Sequence, residues 1–422
     1  MAVRLTPELR VLLVCAHVTL SDEQKHTGAS LLHEPLDIEL VYQQASTLGV
    51  GPLLYCGLLQ IGDKSAPITA LMVRLAQQMT DAAALYEFVY PQQLASLVSA
   101  LAAVRIDVIV LKGYALGVRA YQQPALRQYS DFDLLVREAD LRRAAKLLVE
   151  LGYAPDENEH PLQWYDEVHH HMVPYMRAGA LHVELHRTLT NAEHHLRIDY
   201  NDLWARAEPL SIGEAHAWML SPEYQLLHLC IHAVYVHRVA EIGLRPLWDI
   251  YELVVNNTES LDWKCVVEAS AAWGVGKKAH LMLRLVNTLF GDVVPAETLE
   301  AMSRDPLDEE LLDYAIMSMA AGAFPGLSQS SGLAEAWQHQ GVAHRSGAIL
   351  RRLFPSRRAI AEHYGFAADD WRISLQYPRW ITTMVRRHLV PGLRLLKCDT
   401  ATLAAARQEA SRKRLMGWLN GG

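Results

Sequence analysis

Cysteine is scarce in this sequence. Five residues, Cys15, Cys56, Cys230, Cys265 and Cys398, are scattered over 422 positions, and no two form a CxxC pair. An odd, dispersed set builds neither a disulfide framework nor a zinc ribbon, and it points to a reducing compartment, the cytoplasm. Long apolar runs are missing as well. The longest near the start, "VLLVCAHV" at 11–18, falls short of the roughly 20 residues that span a bilayer. No small-residue cleavage site follows it before "SDEQK", so it does not read as a secretory signal, and no membrane association is expected. Basic charge is not in excess. The net charge of −8 offers no global field for nucleic acid. Internal repeats and low-complexity segments are absent too. What remains, 51% hydrophobic and 20% charged, is an ordinary globular composition, long enough for two or three domains.

The texture of the chain changes twice. Residues 1–104 carry apolar side chains at helical spacing, in "PLDIELVYQQASTLGVGPLLYCGLL" and in the long stretch from "ITALMVRL" to "LAAV", which Pro91 should bend or divide. From 105 to 218 the pattern is mixed. "RIDVIVLKG" is a short β-branched run, "YALGVRAY" makes one or two helical turns, and "YSDFDLLV" is a second strand. "EADLRRAAKLLVELGY" is an amphipathic helix, and "HHHMVPYMR" with "LHVELHRTL" reads as a hairpin around "AGA". From 219 to 422 helices return, opened by the capping signal Ser221-Pro222-Glu223. The expected fold class is α+β: a small mixed sheet flanked by N-terminal and C-terminal helical regions.

The chemistry lies in the mixed region. Alternation along a strand puts Asp131 and Asp133 on one face and Phe132 and Leu134 on the other. Two carboxylates held so close repel each other unless a cation or bulk water screens them. A solvated sheet edge is the plain reading of this pair alone. The strand "LHVELH" shifts the balance, because it puts His182, Glu184 and His186 on one face and so supplies a third carboxylate. Hard oxygen ligands on a strand suit Mg²⁺ or Mn²⁺, and three acids around divalent ions suit in-line phosphoryl displacement. Lys112-Gly113 closes the preceding strand and opens the next helix. There backbone N–H groups can face a phosphate, Gly113 allows close approach, and Lys112 adds a point charge.

The run "LKG", short helix, "R…SDFDLLV", helix, "GY", "VELH" resembles the nucleotidyltransferase superfamily that shares the palm of DNA polymerase beta. More narrowly, it is similar to an uncharacterised bacterial nucleotidyltransferase family often encoded beside biosynthetic clusters for modified peptides. The resemblance is strongest over 105–250. It extends outward through "GVGPLLYCGL" near the start and "LFPSRRAIAEHYG" and "YPRW" near the end. It implies a palm-like catalytic sheet with metal binding by Asp131 and Asp133. Glu184 takes the third acidic place, as metal ligand or as base for an acceptor hydroxyl. It also implies a nucleoside triphosphate donor, ATP first, and a small-molecule or peptide acceptor. Where the superfamily usually carries Gly-Ser, this chain has Lys112-Gly113, which removes one hydroxyl contact to the triphosphate. Ser130, just before Asp131, is the candidate replacement.

Other residues are weighed against this frame. Arg127, in the loop before the acidic strand, is suited to grip a phosphate bidentately; the plain reading is a solvated loop arginine. Arg119 reads as a surface residue. His228 and His232 have an i, i+4 spacing that can hold zinc, but the residues between them are apolar, which favours one functional histidine on a packed helix. Arg245 and Asp249 read as a helix salt bridge. His169-His170-His171 with His182, Glu184 and His186 support a rival reading, a transition-metal enzyme, which leaves Asp131, Asp133 and Lys112-Gly113 without a role. A third reading is a non-catalytic nucleotide-binding scaffold. "RRLFPSRR" and "RWITTMVRRHL" are locally basic, but without interleaved aromatics they do not imply nucleic-acid binding.

Overall fold

The computed structural model describes residues 5–156, 169–236, 243–303, 307–322, 377 and 411–419. The chain divides into two compact units, Met1–Ala323 and Phe324–Gly422. In the second, the described residues are Tyr377 and a helix over 411–419. The basic stretches 351–358 and 379–389, and the resemblance at 353–365, lie outside the described residues.

The first unit begins with helices α1 (Pro7–Cys15), α2 (Asp22–Leu32), α3 (Ile38–Thr47), α4 (Gly51–Ile61), α5 (Ala66–Ala83) and α6 (Tyr90–Ala103). The stretch from Pro35 to Leu59 is two helices. The chain breaks at Gly49, whose φ of 66° suits glycine, and Pro52 lies in the first turn of α4. The next long segment is not divided at Pro91: it stays helical from Ala66 to Ala103. A π-helical stretch, Ala84–Val89, runs into α6, and Pro91 sits in the first turn of α6, where its missing N–H costs least.

Seven strands form one mixed sheet in the order β3-β4-β5-β2-β1-β7-β6. They are β1 (Ile109–Val110), β2 (Asp131–Leu135), β3 (Ala154–Pro155), β4 (Tyr175–Met176), β5 (His182–His186), β6 (Glu208–Ile212) and β7 (Ala215–Met219). Between β1 and β2 lies α7 (Gly113–Arg119), and between β2 and β3 lies α8 (Leu141–Glu150). The central pair β2–β5 is parallel, so the chain must cross over between the two strands, and α8 lies in that crossover. β1 runs antiparallel to β2 and parallel to β7, and β4 pairs antiparallel with β5 in the expected hairpin. The β6–β7 hairpin had no counterpart in the reading of the sequence. Its polar–apolar alternation is weak, and Gly213 at φ 60° makes the tight turn.

One face of the sheet makes the core. Phe132, Leu134, Val183 and Leu185 are buried with Leu94, Leu97 and Leu101 of α6 and Leu141, Ala144 and Leu148 of α8. Each large apolar side chain there contributes about 1.5–3 kcal/mol. The alternation that points these residues inward points Asp131, Asp133, Glu184 and His186 to the opposite face.

After the sheet come α9 (Tyr200–Ala205, before β6), α10 (Pro222–Ile231), α11 (Arg245–Val255), α12 (Trp263–Trp273), α13 (Gly276–Phe290), α14 (Ala296–Met302) and α15 (Glu309–Gly322). Ser221 caps α10 through its side chain, which accepts from the Tyr224 N–H. A π-helical stretch, His232–Val236, extends α10. Small mixed sheet and flanking helices together are the α+β architecture expected. Among the described residues no helix is long and apolar enough to cross a membrane.

Candidate functional site

The register between β2 and β5 builds the site. Asp131 lies opposite His182 and Asp133 opposite Glu184, so parallel pairing sets the three carboxylates side by side. They open into a cleft of about 450 Å³ lined also by Lys112, Gly113, Arg127, Ser130, the three consecutive histidines, His232, Arg245 and Asp249. All seven residues singled out for nucleotide or metal binding therefore line one cleft. A second cleft of about 530 Å³, beside Phe88, Tyr114 and Gly213, contains none of them.

Asp133 is the most heavily held of the acids. Its Oδ2 is 3.1 Å from Lys112 Nζ and its Oδ1 accepts from His186 Nε2 at 2.8 Å. Burial works against the Asp133 carboxylate, yet Lys112 and His186 outweigh it and hold its pKa well below the usual range. Burial likewise opposes charge on His186, but its bonds to Asp133 and Glu184 push it up to about 9. Glu184 is also lowered: burial opposes its charge, and the hydrogen bond from His186 prevails. Asp131 differs, because among the described residues no hydrogen bond or ion pair engages it. Burial, then the charges of Asp133 and Glu184, push it up to about 7. A carboxylate left unbalanced beside two others is a ready place for a cation. Asp133, Glu184 and His186 offer ligand atoms within 4.8 Å of one another.

Lys112 sits in a backbone conformation rare for a side-chain-bearing residue, φ 39°, at the start of α7. Its ammonium is also 3.0 Å from His232 Nε2. The π-helical stretch that begins at His232 thus follows α10 into the cleft, whereas His228 stays buried, pushed down to about 3 by burial and by Lys112. The two rings stand 6.0 Å apart, centroid to centroid. His232 is the one of the pair that lines the cleft.

Arg127 is not solvated. Its Nη2 and Nε donate to the two oxygens of Asp249 at 2.8 and 3.2 Å, and Nη1 donates to the Gln128 carbonyl at 3.0 Å. That leaves one N–H on each terminal nitrogen. Asp249 also accepts from the Tyr121 hydroxyl at 2.6 Å. The expected Arg245–Asp249 helix pair does not form, because Asp249 turns to Arg127 on the loop before β2. Arg245 also lines the cleft, and burial, then Arg127, lower its pKa. Arg119 is a second correction. Its side chain is 5% exposed, paired with Glu208 and donating to the Leu220 carbonyl, so it joins α7 to the β6–β7 hairpin.

The histidines divide. His182 is exposed and does not line the cleft, while His170, His171 and His186 are buried. Burial pushes His169 down to about 3 and lowers His170 and His171 as well. The contacts of His186 with Asp133, of Asp249 with Arg127 and of His232 with Lys112 were not foreseen, although one functional histidine of the His228–His232 pair was expected. Only the i+2 spacing from Glu184 put His186 on the right face, and no local pattern reports the other two contacts.

The small mixed sheet thus brings two strand-borne aspartates, a third acid on the neighbouring strand and a lysine together at one cleft. The chain belongs to the uncharacterised nucleotidyltransferase family, whose profile matches residues 34–291. The match takes in the acidic strands, α11 and the segment at 49–58. No curated protein and no solved structure matches the chain.

Proposed function

We propose that the protein moves a nucleoside monophosphate from a nucleoside triphosphate, ATP first, to a hydroxyl or amine of a small molecule or peptide, releasing pyrophosphate. The observation that carries this reading is the β2–β5 register, which aligns Asp131, Asp133 and Glu184 at one cleft beside Lys112. Asp131 and Asp133 would hold the divalent ion, Mg²⁺ or Mn²⁺, with Glu184 as third ligand or as base for the acceptor proton. The donor set fits, since Asp131 makes no hydrogen bond or ion pair among the described residues and the charges of Asp133 and Glu184 act against its own. Bound there, the ion would supply charge neutralisation for the triphosphate and the transferring phosphoryl group.

The chain's own residues do the rest. Lys112 is placed to exchange Asp133 for triphosphate oxygens, freeing the Asp133 carboxylate for a cation. Arg127, oriented by Asp249, keeps an N–H on each terminal nitrogen for a phosphate oxygen. Gly113 and Ser130 line the path of the triphosphate. The mixed region 105–218 is the catalytic unit in this reading, and the helices on either side shape the acceptor cleft. Four unpaired cysteines among the described residues support a cytoplasmic setting.

Titration calorimetry of each nucleoside triphosphate with Mg²⁺ tests the proposal, on the wild type and on Asp131→Asn. Saturable binding that the variant loses is expected. A folded wild type that binds no nucleotide would sink the reading.

A further inference from the structure

The acidic cluster does not account for the three consecutive histidines on its flank. Consecutive residues of an extended strand face alternate sides, yet a bend at His170 brings the rings of His169, His170 and His171 together. Their centroids lie 4.0 to 4.8 Å apart, and all three offer ligand nitrogens within 4.8 Å of one another.

The neighbours decide which ring nitrogens carry protons. The Met172 carbonyl oxygen lies 2.6 Å from His171 Nδ1 and can only accept, so Nδ1 holds the hydrogen and Nε2 presents its lone pair. Asn191 Oδ1 accepts the His170 backbone N–H at 3.0 Å, which fixes that atom as the oxygen. The same oxygen is 2.6 Å from His170 Nδ1, so His170 too presents Nε2. An imidazole whose Nδ1–H is anchored to a carbonyl or amide oxygen is the arrangement that orients metal-ligating histidines.

His171 Nε2 then stands 3.3 Å from Glu184 Oε2. At that separation one ion can take both atoms as ligands. His186 Nε2 is 3.5 Å from the same oxygen and 2.8 Å from Asp133 Oδ1, so Glu184 joins the histidine cluster to the acidic pair. Two ligands each about 2.0 Å from a tetrahedral zinc ion lie about 3.3 Å apart, which matches the separation seen.

We propose that His169, His170 and His171, with the Glu184 carboxylate, bind a transition-metal ion of the Zn²⁺ class beside the Asp131–Asp133 pair. Imidazole nitrogen selects such ions over Mg²⁺, which prefers an all-oxygen shell. The two sites meet at Glu184, yet this one follows from its own geometry and does not depend on nucleotidyl transfer.

The test loads the full chain with Zn²⁺ alone, desalts it and counts the metal. About one ion per chain should remain on the wild type and on Asp131→Asn, and none on a His170→Ala/His171→Ala double variant. A wild type that retains no zinc, or a double variant that retains as much as the wild type, overturns the proposal. Because the double variant removes buried side chains, the Co²⁺ adduct of the wild type provides a second readout. Intense four-coordinate ligand-field bands are expected, and the weak bands of a six-coordinate ion would refute the site. Nucleotide binding measured on the same samples keeps the two readings separate. Nucleotidyl transfer fails if the wild type binds no triphosphate, whatever the zinc content; the histidine site fails if zinc is not held, whatever the nucleotide does.

Discussion

Lys112 and Asp133 form an ion pair of 3.1 Å with side chains only 14% and 4% exposed. Replacing Lys112 by methionine keeps the bulk of the stem and removes the counter-charge, so Asp133 is left buried with His186 alone. Breaking a buried pair from one side costs about 3 kcal/mol. Chemical denaturation of Lys112→Met should show a loss of that order, together with lost triphosphate binding. A loss near zero would mean that water already reaches Asp133.

Asp249 anchors the other side of the cleft. It faces two buried guanidinium groups, Arg127 and Arg245, and Asp249→Asn should cost about 3–5 kcal/mol by leaving them uncompensated. Burial opposes its charge, but Arg127 lowers its pKa below that of the unfolded chain. Its contribution is therefore complete above about pH 4 and is lost as pH falls through the folded value. Wild-type stability should drop on acidification below about pH 4, and Asp249→Asn should be flatter over the same range. Parallel pH curves for the two proteins would contradict the pairing.

Asp131→Asn removes the unbalanced carboxylate. Without divalent ions the variant should melt no lower than the wild type, and at neutral pH higher, because a repelled, partly buried charge is gone. Added Mg²⁺ should raise the melting temperature of the wild type and leave the variant unmoved, while transfer activity is lost. An equal Mg²⁺ response in both would place the ion elsewhere.

Gly57 serves as a control far from the chemistry. A Cβ there would meet the Cys15 carbonyl oxygen at 1.7 Å, where α4 packs against the end of α1. Alanine gains about 1 kcal/mol of helix propensity, which does not offset an overpacking cost of about 3 kcal/mol against rigid backbone. Gly57→Ala should unfold at lower denaturant yet, where folded, bind triphosphate with unchanged affinity. Altered affinity would show that the N-terminal helices reach the site.

What the amino-acid sequence determined by itself is local. Alternation of apolar and polar residues put Asp131 with Asp133, and Glu184 with His186, on the non-core faces of their strands. The 3.6-residue period marked α8, and Ser221 marked the start of α10. Each follows from neighbours within one or two turns of backbone, so each could be read from the order of residues. Only the tertiary structure decided the rest. The β2–β5 register that sets Asp133 beside Glu184 depends on a crossover through α8. The choice of Asp249 for Arg127 over Arg245, four residues away, depends on how α11 packs on the loop before β2. The burial of Arg119 depends on a hairpin with little pattern of its own. These contacts join residues some 50 to 130 positions apart. Burial and electrostatics select them only once the chain has closed on itself, because an exposed ion pair is worth little and a buried charge must find a partner.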